Sequence, residues 1–343
     1  MARRNRDRIA ELVDLFEPRL RDAFIAAVED LRNGADLAAI VAALERGDIQ
    51  GAITAMHLDS AAFADLDNAL ADAFKAGGNV TVNGLPTVTT SNGTRLVFRF
   101  DARNPRAEQW LRTYSSELVT AIIEDQREAI RAALEDGQKR GINPRQTALD
   151  IVGRYDAQAK KRVGGVIGLT SAQEEYATNA LAELLSGDPE RLRSYLGREL
   201  RDRRYDAIAL KAIRDEKPVS ATDAARMQQR YKDRLLKLRG DTIARTETLT
   251  ALHQGQHEAL EQIAAKGNLP RSAVSRIWRD AGDSRVRHTH AAMSGQKRSI
   301  DQPFQSPSGA LLRFPGDPRA PASETVNCRC YTESSVDFLH GIK

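Results

Sequence analysis

Apolar residues recur along this chain mostly at three- and four-residue steps, the period that sets them on one face of a helix. Residues 7–33 align Ile9, Val13, Phe16, Leu20, Phe24, Val28 and Leu31 on one such stripe, and Pro18 inside it is expected to kink the helix. Shorter helices are expected at 37–46 and 61–75, the second sharing a face among Phe63, Leu66, Leu70 and Phe74. The texture then changes. Residues 79–100 are rich in Val and Thr, alternate in places and carry Asn83-Gly84 and Asn92-Gly93, which predicts a small β-hairpin or inserted flap.

Asn104-Pro105 predicts a capped start for a long helix running to 137, with Leu111, Tyr114, Leu118, Ile122, Ile130 and Leu134 inward. Asn143-Pro144 restarts a shorter one. Thr170 with Gln173 resembles a capping box and Ser220 with Asp223 a looser one, so helices are expected over 170–186, 190–216 and 221–266. After Gly267 the period breaks into Gly-, Pro- and Ser-rich chain over 282–326, with short β-prone pieces SRIW and LLRF. The expected fold is mainly α: a multi-helix body with a small β-hairpin element and a loop-rich α+β C-terminal module. Three pieces are expected: 1–100, a helical segment with the hairpin at 79–100; 101–267, a helical body; and 268–343, the C-terminal module.

Composition narrows the function classes. With 29% charged and 41% hydrophobic residues the chain is neither disordered nor membrane-like. No apolar run nears the roughly 20 residues of a spanning helix, and the N-terminal stretch turns amphipathic at once, so a cytoplasmic protein is expected. The 51 basic and 47 acidic residues nearly cancel, so any nucleic-acid contact must come from a local patch. There is no Gly-rich phosphate loop, nucleophile elbow or readable pair of catalytic carboxylates, which leaves no catalytic residue to name and makes an enzyme the less favoured expectation.

The densest chemistry lies near the C-terminus: Trp278-Arg279-Asp280, Asp283, Arg285, Arg287, His288 and His290, then Gly295, Phe304, Pro315-Gly316 and Asn327-Cys328-Arg329-Cys330. In order and spacing these marks resemble the C-terminal domain of the phage Mu F-like minor head proteins, a family overlapping the head-morphogenesis proteins of other tailed phages. The resemblance covers 240–332, including Arg245-Thr246-Glu247, and extends weakly upstream from about residue 98 through RFDARNPRAEQWLRTYSSELVTAI, GINPRQTALDIV, IGLTSAQ and IARTET. It implies a low-copy protein at the portal or inside the head, with the portal protein, other head or scaffold proteins and packaged DNA as partners. It also implies host cytoplasm during assembly and the virion head afterwards, and no established catalysis.

The same residues carry readings of their own. His290, Cys328 and Cys330, with Asp283, are potential ligands for zinc, the one cofactor the residues suggest. Against this, Cys-x-Cys and His-x-His in extended chain would aim their side chains apart, which also disfavours a disulfide. The alternative is hydrogen bonding: Asp283 to Arg285 or Arg287, Asn327 to loop backbone, and the cysteines as small buried groups. Arg276, Arg279, Arg285, Arg287, Lys297 and Arg298 concentrate positive charge beside Trp278, giving a candidate surface for double-stranded DNA without sequence specificity; for Trp278 itself, core packing is the favoured reading over stacking on a base. Arg245 and Glu247 are candidates for an interdomain or portal-facing ion pair, or a solvated face. His253, His257 and Glu258 read as a polar helix face rather than a metal pair, because the first histidine lacks a glutamate directly after it. Two other functions stay open: a metal-dependent hydrolase or nuclease centred on His290, Asp283, Cys328 and Cys330, and a DNA-binding internal head protein ejected with the genome.

Overall fold

The computed structural model of the chain describes residues 2–89, 92–93 and 95–340. Residues 90, 91 and 94 of the expected hairpin, Met1 of the expected first piece and 341–343 of the expected C-terminal module lie outside the described residues.

The chain begins with α1 (Ala2–Gly34), α2 (Leu37–Glu45), α3 (Ile49–Thr54) and α4 (Ala64–Asn83), followed by the hairpin strands β1 (Val88–Thr89) and β2 (Arg95–Leu96). Next come α5 (Pro105–Lys139), α6 (Pro144–Val152), strands β3 (Arg154–Asp156) and β4 (Lys161–Val163), then α7 (Ser171–Leu184), α8 (Pro189–Gly197), α9 (Asp206–Asp215) and α10 (Ala221–Lys266). The remainder holds β5 (Val274–Arg279), α11 (His288–Met293), β6 (Lys297–Ser299), β7 (Phe304–Gln305), β8 (Leu311–Leu312), α12 (Ala322–Thr325) and β9 (Tyr331–Val336). The fold is mainly α with small antiparallel β elements, as the apolar spacing predicts. No helix of the described residues is long and apolar enough to cross a membrane.

Two compact units are assembled from separated stretches of chain. One holds Met1–Ala23, Asp65–Ser116 and Asp241–Lys343, the other Phe24–Ala64 and Glu117–Gly240. In the second unit, helix starts follow side-chain caps: Asp36 accepts from Ala39 N, Asn143 from Arg145 N, and Thr170 with Gln173 forms the expected capping box. The helix expected over 190–216 is interrupted, because buried Asp202 caps a fresh turn by accepting from Arg204 N while its carboxylate pairs with Arg204 and Arg234. The loop 164–169 bends through positive φ at Gly164, Gly165 and Gly168, which leaves carbonyls facing inward. Two buried arginines satisfy them: Arg32 donates to Ile167 O at 3.1 and 2.7 Å, and Arg239 to Gly168 O at 3.0 Å. Burial pulls the Arg32 guanidinium down to about 10.

In the first unit, α4 and α10 cross backbone against backbone. A Cβ on Gly77 would lie 2.0 Å from Leu252 O, and one on Gly255 would lie 2.0 Å from Phe74 O. Helix α4 runs past the predicted end at 75 to Asn83, so 79–83 are helical rather than part of a hairpin. Asn83-Gly84 stops a helix, Gly84 N reaching back to the Val80 and Thr81 carbonyls, and among the described residues Val88–Thr89 pairs with Arg95–Leu96. A three-stranded antiparallel sheet, order β6-β5-β9, packs beside α10, with Leu260, Ile263, Ala264, Val274 and Ile300 forming one core.

Candidate metal centre

Strand β5 alternates in burial, so Val274, Arg276 and Trp278 point to one enclosed face. Trp278 is fully buried and packs with Met293, Phe304, Leu312, Cys328 and Cys330 in a second core. Its ring meets Phe304 edge-on at 5.3 Å and His290 edge-on at 5.2 Å. Trp278 is therefore core, one of the two readings its sequence allowed.

His290 reaches this core from α11. The His-x-His pair lies on a helix rather than in extended chain, so its members still diverge: His288 is exposed and His290 is 1% exposed. Cys328 and Cys330 follow α12 and a left-handed Asn327 with φ of 56°. Here the expectation that the two thiols aim apart fails, because the segment 328–330 is not a regular strand and two-residue alternation does not apply. Both sulfurs converge on one nitrogen: Nδ1 of His290 lies 3.5 Å from Cys328 Sγ and 3.3 Å from Cys330 Sγ. The cysteines are free, both are buried, and the two sulfurs and the ring nitrogen, atoms that could hold a metal ion, lie within 4.8 Å of one another.

The other ring nitrogen faces a carboxylate. Nε2 of His290 lies 2.9 Å from Glu324 Oε2, at ion-pair distance but off the line of a regular hydrogen bond. Glu324 is itself buried and accepts from Thr289 Oγ at 3.0 Å, Ser306 Oγ at 3.0 Å and Ser308 Oγ at 2.5 Å. Burial pushes its carboxyl up, but the three hydroxyls and His290 outweigh this and hold it below the ordinary carboxylate value. An ionised carboxylate only accepts, so the ring proton belongs on Nε2 and the Nδ1 lone pair faces the two sulfurs. Between the thiols, donation from Cys330 lowers Cys328, with further help from His290, while the same bond and burial push Cys330 up.

The loops around this centre are tied to one face of α10. Thr246 Oγ accepts from Asn327 N at 3.1 Å, Thr250 Oγ donates to Gly316 O at 2.9 Å, and His253 Nδ1 meets Pro315 O at 2.8 Å. The polar face expected at His253 is buried, and loop backbone groups are its partners. His257 sits farther along the helix, 3.9 Å from Glu261 and tilted against Phe314. Burial lowers both histidines, and the Arg276 and Arg313 charges lower His257 further.

Most of the charged residues singled out in the sequence do other work. Asp283 is exposed and is absent from the ligand group; it pairs with Arg329 at 2.7 Å and, more distantly, with Arg285 at 3.9 Å. Arg287 donates to Val326 O instead of to Asp283. Arg276 is 2% exposed and cannot present charge to a phosphate: it donates to Ser299 O and Gln302 O, both at 2.7 Å, and to Arg313 O. Arg279 pairs with Glu333 at 2.9 Å. Arg285 and Lys297 remain exposed, and Arg298 is half-buried, so the six basic residues do not form one open patch. Asp280 caps Gly282 N, and Gly295 turns with φ of 87°. Arg245 and Glu247 do not pair with each other: Arg245 meets Glu17 at 2.9 Å, while Glu247 is buried and accepts from Tyr114 Oη at 2.5 Å. Burial raises the Glu247 carboxyl to about 7.

Sequence reasoning overlooked Glu324, Thr246, Thr250 and the pairing of half-buried Arg313 with buried Asp317, in which Asp317 accepts from Arg313 at 2.7 and 2.9 Å beside the Pro315-Gly316 turn. Proximity of an acid to the Asn-Cys-Arg-Cys run was the available signal for Glu324. The threonines carry the four-residue spacing 246, 250 on the helix face that holds His253.

Comparison with known proteins adds three findings. Residues 198–333 match the family described as Phage Mu protein F like protein. A stretch of 102 residues is 33% identical to the Uncharacterized protein YqbB of Bacillus subtilis (strain 168), covering 29% of this chain and 31% of that one. Another of 107 residues is 32% identical to the Minor head protein GP7 of Bacillus phage SPP1, covering 31% of this chain and 32% of that one. The matched stretches thus span about a third of each relative. No solved structure matches the chain.

Proposed function

We propose that the chain is a minor head protein acting in head morphogenesis of a tailed bacteriophage, since residues 198–333 match the Phage Mu F-like family. The observation that carries this is the family match, supported by the 32% identity to a phage minor head protein. In this reading the protein works in the host cytoplasm during assembly and ends in the virion head. It associates with the portal protein and other head proteins, and it touches packaged DNA through exposed basic side chains such as Arg285 and Lys297. The structure gives no support to a hydrolytic centre around Asp283, since that carboxylate lies outside the cluster.

The test is genetic and biochemical together. Deleting the gene from the phage that carries it is expected to leave particles of normal outline but reduced infectivity or genome content, and the tagged protein is expected to co-purify with portal-containing assemblies. Full infectivity after deletion, with no protein detected in heads or portal assemblies, would remove the assignment.

A further inference from the structure

We infer that His290, Cys328 and Cys330 bind one thiophilic divalent metal ion, zinc by ligand type, as a structural clasp of the C-terminal module. This goes beyond the head-assembly reading and does not rest on it.

The geometry points to an ion rather than to hydrogen bonds alone. Two sulfurs stand 3.3 and 3.5 Å from one ring nitrogen, and the three atoms lie within 4.8 Å of one another, converging as soft ligands do around a shared ion. A tetrahedral zinc site with Zn–S near 2.3 Å and Zn–N near 2.0 Å has sulfur-to-nitrogen edges of about 3.5 Å, so both contacts fit the same ion. The back of the ring carries the partner that metal-bound histidines usually have: Nε2 faces the Glu324 carboxylate, which Thr289, Ser306 and Ser308 hold in place. The surrounding shell of Trp278, Met293, Phe304 and Leu312 is apolar and buried, which strengthens ligand–metal attraction.

Three protein ligands leave a fourth position. His290 and Cys330 both line a crevice of about 10 Å³, room for a single solvent oxygen. A solvent oxygen there would complete a tetrahedron with the three side chains. The ion would tie α11 to the segment entering β9, two pieces joined by no regular strand pairing of their own.

The test uses the full chain purified under reducing conditions with zinc present. Elemental analysis is expected to find about one zinc per chain, and replacement by cobalt is expected to produce visible tetrahedral bands with a thiolate charge-transfer band. C328S/C330S is expected to lose at least ten-fold of the metal. Glu324→Gln, which spares all three ligands, is expected to keep a folded chain and bind metal about 10–100-fold more weakly. Chelation is expected to lower the Tm of the wild type but not of C328S/C330S. A wild-type chain with no metal and no cobalt–thiolate band overturns the proposal, whether or not the variants fold. So does a Cys328–Cys330 disulfide in the isolated protein, or undiminished metal in C328S/C330S.

Discussion

Glu247 shows at the level of one residue how burial turns an unremarkable helix position into a pH-sensitive one. Its carboxyl is raised from 4.5 to about 7 by desolvation, which the hydrogen bond from Tyr114 only partly offsets. Between those values the folded chain keeps a proton that the unfolded chain has released, so stability falls as pH rises through the window, by up to about 3 kcal/mol. Glu247→Gln removes the ionisation while keeping an acceptor for Tyr114. The variant is expected to melt higher than the wild type at pH 8, with the difference shrinking toward pH 5. Thermal melts across that range check it, and parallel curves for the two proteins would show that Glu247 does not titrate in the window. Trp278 gives a second residue-level expectation: its fully buried indole spans the core beside His290, so Trp278→Ala is expected to cost about 3–5 kcal/mol by chemical denaturation.

Among the elements, α10 carries the most constraints. Its C-terminal half crosses α4 at Gly255 while its polar face holds the loops at 315–316 and 327. Glycine inside a helix costs roughly 1 kcal/mol against alanine, and here the return is a backbone approach that no Cβ permits. Gly255→Ala gains helix propensity but must push α4 away, so it is expected to destabilise by about 1–3 kcal/mol or more, lowering Tm by several degrees. An alanine variant as stable as the wild type would mean the two helices do not meet this closely. Thr250→Val tests the polar face at the same scale: it leaves Gly316 O without its donor in a buried setting, at a cost of about 1–3 kcal/mol.

At the scale of the whole molecule, the family match and the compact units do not coincide. The stretch 198–333 contributes residues to both units and completes neither, since one unit also needs Asp65–Ser116 and the other Phe24–Ala64. A fragment limited to 198–333 is therefore expected to lack a cooperative thermal transition that the full chain has, read by circular dichroism. Sharp, reversible melting of the fragment would show that it folds alone. The DNA contact proposed above is also tested on the whole chain: affinity must fall steeply with salt, and Arg285→Ala with Lys297→Ala is expected to flatten the log–log slope by about 2.

Local order was set by the sequence itself. The apolar stripes of α1, α4 and α5, the Asn143 and Thr170 caps, the full extent of α10 and the Trp–Arg–His–Cys signature could all be read from it, because spacing, capping and motif order are properties of neighbouring residues. Convergence was decided only by the tertiary structure. The meeting of Cys328 and Cys330 on His290, the carboxylate of Glu324 behind that ring, the withdrawal of Arg276 from the surface and the burial of Thr246, Thr250 and His253 all depend on irregular backbone and on partners far along the chain. Loops without a repeating period give no rule for where a side chain points, so these contacts exist only once the helix and sheet that frame them have packed.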